Sequence, residues 1–180
     1  MGSAINAGTV NTVVTRAWNG SKAGLLAIVV GGVLLLDITT KLFIQRTFHL
    51  YQQVDLIGEY VRLTYIHNPG AAFGIELGPY SRFIFLFVSA MALAALAGMY
   101  WVTPAKDKIR LVSSALICGG ALGNLLDRLR LSAGVVDFLD VGFGNLRWPV
   151  FNVADIAVTT GAVFLALSLW REEQQADRER

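Results

Sequence analysis

Apolar positions along the chain gather into four long runs separated by polar segments. The first, Lys22 to Ile44, has an uninterrupted apolar part from Ala23 to Leu36. That part is short for a membrane span, which takes roughly 17–25 residues. Continuing through Asp37 and Lys41 supplies the length. A secretory leader also combines a basic flank with a short apolar core, but no small-residue cleavage pattern follows Leu36, which predicts a retained helix. The second run, Phe83 to Val102, carries no charge and ends on Tyr100-Trp101, an aromatic pair suited to the membrane–water interface. The third, about Ile109 to Leu126, is rich in Gly, Ala and Ser. The fourth, about Pro149 to Trp170, opens on a proline, which the first turn of a helix tolerates because an N–H there has no partner. Between the first two runs, Val61, Leu63 and Tyr65 alternate with Arg62 and Thr64, the spacing of a strand. The pattern predicts an all-α membrane protein, four transmembrane helices with a small extracytoplasmic β-sheet cradle. A flexible extension is expected over 1–21, the membrane domain over 22–171 with its cradle within 45–82, and a charged tail over 172–180.

Composition agrees. Hydrophobic residues make up 54% and charged ones 16% of the 180 residues, against about 25% charged in soluble domains. Mean hydropathy is +0.54. A disordered chain and an ordinary soluble enzyme are both excluded. A net charge of +2 leaves no basic surplus for nucleic acid. One cysteine and two histidines give no basis for a metal centre or cofactor, and Cys118 reads as a small buried core residue. The short link between the second and third runs holds Lys106 and Lys108, with Arg110 just beyond. Counted with this link, basic residues divide almost equally between the two sides, eight against seven. The density of charge in this link therefore sets it, and both termini, in the cytoplasm.

Acids supply the candidate chemistry. Asp37, Asp127, Asp137, Asp140 and Asp155 all fall at or beside span ends, and on this topology all five lie near the outer face. A charge in the hydrocarbon costs ~2.5–3.5 kcal/mol or more, so acids gathered at one level point to a site. Asp37 and Lys41, four apart, share a helix face and can pair. Asn124, Asp127 and Arg128 project together from the end of the third span. Gly119 and Gly123, also four apart, permit close helix packing. Asn68-Pro69-Gly70 opens a small-residue segment that allows close backbone approach to a ligand. Asp137 sits in an apolar, extended stretch, and Asp155 in the first turns of the fourth span, where a helix amino terminus favours its anionic form. Two carboxylates in a partly dry site cannot both ionise, and such a pair can act as base and acid around a water.

Taken together, Asp37–Lys41, Asn68–Gly74, Gly119–Arg128, Val135–Phe138 and Phe151–Asp155 resemble, in order, the motifs of the bacterial lipoprotein signal peptidases, the signal peptidase II family. The resemblance covers about residues 25 to 170. It implies an aspartic endopeptidase of the bacterial inner membrane, its site at the outer face, acting in membrane lipid as a monomer. Such enzymes remove signal peptides from prolipoproteins just before a diacylglyceryl-modified cysteine, and are the target of the cyclic peptide globomycin. By motif the resemblance assigns Asp137 and Asp155 as the catalytic dyad. Asn68, Gly70, Asn124, Asp127, Arg128 and Asn152 would hold substrate, and Asp37 and Lys41 would support from the first span. Asp127 competes for membership of the dyad, but Arg128 beside it offers a positive partner that would keep it ionised. The alternatives are a small proton-coupled membrane transporter, since membrane acids also mark ion pathways, and a non-catalytic assembly factor.

Overall fold

A computed structural model describes residues 7–69 and 80–178. Its elements are α1 (Ala7–Thr47), β1 (Gln53–Ile57), β2 (Val61–Asn68), α2 (Ser81–Val102), α3 (Lys108–Arg130), β3 (Val135–Phe143), β4 (Leu146–Arg147) and α4 (Val153–Arg178). Four stretches are long and apolar enough to cross a membrane: Gly20–Thr47, Phe83–Val102, Lys108–Arg130 and Val153–Arg178. Their outward residues include Leu35, Leu36, Phe87, Met91, Val163 and Phe164, all exposed in the isolated chain, as a lipid-facing surface requires.

Helix α3 is the centre of the bundle and packs on α1, α2 and α4. Its glycines make this possible, because association in lipid relies on close backbone approach. A Cβ on Gly119 would lie 3.0 Å from Val33, and one on Gly123 2.7 Å from Asp37 Oδ2. The pair therefore seats two α1 residues that are themselves four apart. Gly120 faces the other way, against the carbonyl of Ala154 on α4.

Two ends close the bundle differently. At one, Lys22 is buried and donates to the carbonyls of Trp101 (2.7 Å) and Thr103 (2.9 Å), groups the last turn of α2 cannot satisfy itself. The Tyr100 hydroxyl donates to the Lys22 carbonyl at 2.6 Å, and Tyr100, Leu111 and Ala115 pack beneath Leu25, Leu26, Val29 and Val30. At the other end the strands form one antiparallel sheet in the order β1-β2-β3-β4. Ile44, Tyr65, Val136 and Phe138 make the core that seats it on the helices.

Three expectations need correction. Helix α1 begins at Ala7, so residues 7–21 are helical where a flexible extension was expected. No proline interrupts this stretch, and extending a formed helix is far easier than nucleating one. The sheet is not confined to 45–82, since β3 and β4 come from the second outer link. Helix α4 starts at Val153 and not at Pro149, because Phe151 is tied to Leu139 in both directions, Leu139 N–H to Phe151 at 2.8 Å and the return bond at 3.0 Å.

Candidate functional site

The site lies where the sheet meets the helix ends. Antiparallel register sets Ile66 opposite Asp137 and Asn68 opposite Val135. Asn68 and Asp137 are thus diagonal neighbours on one face, and Asn68 Nδ2 donates to Asp137 Oδ2 at 3.0 Å. Gly134 keeps this pairing close. Its φ is +107°, and a Cβ there would run into the Asn68 carbonyl.

Helix α4 delivers the second acid through its own cap. Asn152 precedes the helix and accepts the Asp155 N–H on its side-chain oxygen at 2.9 Å, while Asp155 Oδ2 accepts the Asn152 N–H at 3.1 Å. This is a reciprocal capping box. Asn152 is fully buried, and its Nδ2 also donates to Asp137 Oδ1 at 2.7 Å and to Asn124 Oδ1 at 3.1 Å. Asn124 Nδ2 in turn donates to Asp155 Oδ1 at 2.8 Å. One asparagine therefore grips both carboxyl groups, and a second links it to α3. Asp137 is 1% exposed. Burial first, and then the Asp155 charge, push its carboxyl up from 3.8 to about 7, against the Asn68 and Asn152 hydrogen bonds and the Lys41 charge.

Behind this pair stands a second buried group. Lys41 Nζ lies 2.8 Å from Asp37 Oδ2, 2.9 Å from Asp127 Oδ2 and 3.0 Å from Asn124 Oδ1. Asp37 Oδ1 accepts the Ala154 N–H at 3.0 Å in the first turn of α4, and Asp127 Oδ2 accepts the Val136 N–H at 3.2 Å on β3. Lys41 and its two acids thus fix the strand and the helix that carry Asp137 and Asp155. Asp127 thus has a positive partner on another helix, Lys41, besides the adjacent Arg128 that the sequence suggested. Arg128 donates from Nη1 to the Asn124 carbonyl at 3.2 Å, with its guanidinium 5.8 Å from the Phe85 ring centroid.

Of the expected residues, Asp37, Lys41, Asn68, Asn124, Asp127, Asn152, Asp137 and Asp155 form one connected network, and Arg128 joins through Asn124. Gly70 lies outside the described residues. Asp140 stands apart: Arg147 Nε (2.6 Å) and the Thr64 hydroxyl (3.1 Å) hold its carboxylate within the sheet. Cys118 is buried, as expected. A cleft of about 460 Å³ opens beside Asp155, between β3 and α4, walled by Val141, Trp148, Phe151, Ile156, Thr159 and Thr160. Sequence reading missed this cleft. Its only sequence signal was an Asn-x-x-Asp capping pattern ahead of an apolar run, which places Ile156 and Thr159 just inside a helix.

Comparison with known proteins agrees with this architecture. The family model described as signal peptidase (SPase) II matches residues 29–171. A lipoprotein signal peptidase of Geobacter metallireducens is 38% identical over 156 residues, 86% of this chain and 96% of that protein. That of Geobacter sulfurreducens is 42% identical over 148 residues, 82% of this chain and 92% of that protein. A solved bacterial membrane enzyme superposes with a TM-score of 0.76 at 28% identity, covering 84% of this chain and 91% of its own. With four apolar helices under a small sheet, and with matches of this extent along most of its length, the chain belongs to the signal peptidase II family.

Proposed function

We propose that this peptidase removes signal peptides from prolipoproteins by aspartic catalysis, with Asp137 and Asp155 as the dyad. The observation that carries the reading is Asn152, which binds both carboxyl groups at once. Asp155, at the amino terminus of α4, is the base of the pair. Asp137, dry and beside that base, keeps the proton. In the reaction Asp155 takes a proton from a water as its oxygen attacks the scissile carbonyl, and Asp137 donates to the developing oxyanion. Collapse then breaks the C–N bond, and the proton gained by Asp155 passes to the leaving amine.

Substrate roles follow from position. Asn68 and Asn124, which hold the two carboxyls, stand beside the bond to be cut. Arg128 offers a cation at the membrane interface for the lipid ester or peptide carbonyls, and Gly70, by its sequence motif alone, would allow close approach to the substrate backbone. The apolar cleft beside Asp155 receives the chain or its acyl groups, and a globomycin-type cyclic peptide would compete there. Cleavage falls just before a diacylglyceryl-modified cysteine. A single chain supplies every residue of the network, which supports action as a monomer. The acids gather at one end of the bundle instead of lining its depth, which disfavours a proton-coupled transporter.

The test is cleavage of a precursor peptide with and without diacylglycerol on its cysteine. Asp137→Asn and Asp155→Asn should each abolish turnover while still binding the lipidated peptide. The double variant should be scarcely worse than either single, because the two act as a unit. The unlipidated precursor should be cut far more slowly. Near-normal turnover by Asp137→Asn, with none by Asp127→Asn, would reassign the dyad.

A further inference from the structure

At the end of the bundle remote from the dyad, a second groove of about 420 Å³ lies between α3 and α4. Its walls are apolar, made by Ile109, Val112, Phe164 and Leu167, and Lys108 and Arg171 stand at its mouth. Trp170 beside Arg171 and Trp101 on α2 are both exposed at this end, where aromatic rings mark the membrane–water interface. Asp107 and Glu172, the acids that adjoin Lys108 and Arg171 in sequence, are engaged by Arg110, Asp107 at 3.1 Å. Among the described residues neither Lys108 nor Arg171 has an ion pair, so the mouth presents two uncompensated cations. Deeper in, Ser113 lines the groove, is 1% exposed, and its hydroxyl has no hydrogen-bond partner among the described residues. A buried hydroxyl without a partner is costly, and an acceptor inserted from the groove would relieve it. Ser113 is five residues along α3 from Lys108, a rise of about 7.5 Å.

We infer that this groove binds an anionic phospholipid, with its phosphate between Lys108 and Arg171, an ester carbonyl accepting from Ser113, and an acyl chain against Val112, Phe164 and Leu167. The order of groups matches the order of the lipid: charge at the surface, the Ser168 and Ser113 hydroxyls below it, then hydrocarbon. The site lies in the leaflet opposite the dyad and is independent of the proposed chemistry.

The test uses the full chain in detergent, with lipid retention read by native mass spectrometry and folding by the thermal midpoint. Phosphatidylglycerol should be retained in preference to phosphatidylcholine of the same chains. Each cation facing an anionic headgroup contributes roughly fivefold, so Lys108→Gln with Arg171→Gln should weaken phosphatidylglycerol binding about thirtyfold. Val112→Trp fills the groove while leaving both cations, and should abolish retention at an unchanged midpoint. Soluble glycerol phosphate should not compete. Equal retention of the two lipids, unchanged phosphatidylglycerol affinity in the paired glutamine variant, or displacement by glycerol phosphate would overturn the assignment. The readouts need no substrate, so failure of the peptidase reading leaves this test standing. Should Val112→Trp not fold, the paired glutamine variant still decides it.

Discussion

Asp137 binds its proton more tightly in the folded protein than in the unfolded chain, and this has a cost that can be measured. The unfolded carboxyl titrates near 3.8 and the folded one at about 7, with burial the main cause. Between those values the folded state holds more protons, so stability falls as pH rises through the window and levels off above about 7. At 1.36 kcal/mol per pH unit the loss is at most about 4 kcal/mol. Asp137→Asn removes it. The variant's thermal midpoint should therefore gain on the wild type between pH 4 and pH 8, and parallel curves would contradict this account. Turnover by the wild type should decline above about pH 7, as the proton that Asp137 donates is lost. Lys41 shows the opposite case, a buried cation shared by two buried acids. Lys41→Met would leave Asp37 and Asp127 uncompensated, which costs roughly 3–5 kcal/mol. The midpoint should drop accordingly, and adding Asp37→Asn and Asp127→Asn should recover part of it.

Among the elements, α3 carries the most constraint, because its glycines set the distance to α1 and α4. Gly120→Ala would drive a methyl group into the Ala154 carbonyl, at the turn of α4 that holds Asp155. Overpacking of this kind costs about 1–3 kcal/mol, and the displaced α4 should lower turnover more than substrate binding. Gly98→Ala on α2 meets nothing within 4 Å. It should leave turnover unchanged and raise the midpoint slightly, since alanine is the better helix former. The four spans were legible because run length and apolar character are local properties. Strand β2 was legible by its alternation, whereas β3 was not recognised as part of the sheet. Its buried Asp137 and Asp140 interrupt the apolar pattern, and its pairing depends on a partner about seventy residues away. The sequence misplaces the start of α4 as well: resemblance assigns Asn152 only to substrate, yet it is both the helix cap and the bridge between the acids. The ion pair between Asp127 and Lys41 could not be read from spacing, because Lys41 reaches it across helices.

For the whole molecule, the links between spans decide which end faces the cytoplasm. The two ends differ in the length of their links. At the sheet end, long segments join α1 to α2 and α3 to α4, whereas the opposite end has only the tight turn between Val102 and Lys108. Orientation is set by Lys and Arg in short links and near span ends, and that turn holds Lys106 and Lys108, with Arg110 just inside α3. Arg171 and Arg178 lie at the same end on α4, since Arg110 pairs with Glu172 across the two helices. The sheet end should then face outward, with Asp137 and Asp155 at the outer interface. Labelling with a membrane-impermeant maleimide checks this, because the one native thiol, Cys118, is buried within α3. Ser132→Cys, exposed beyond the end of α3, should label in intact cells, whereas Ala105→Cys should label only after lysis. The reverse pattern would invert the molecule and put the dyad on the cytoplasmic side, where a peptidase acting on exported precursors would not meet its cleavage site.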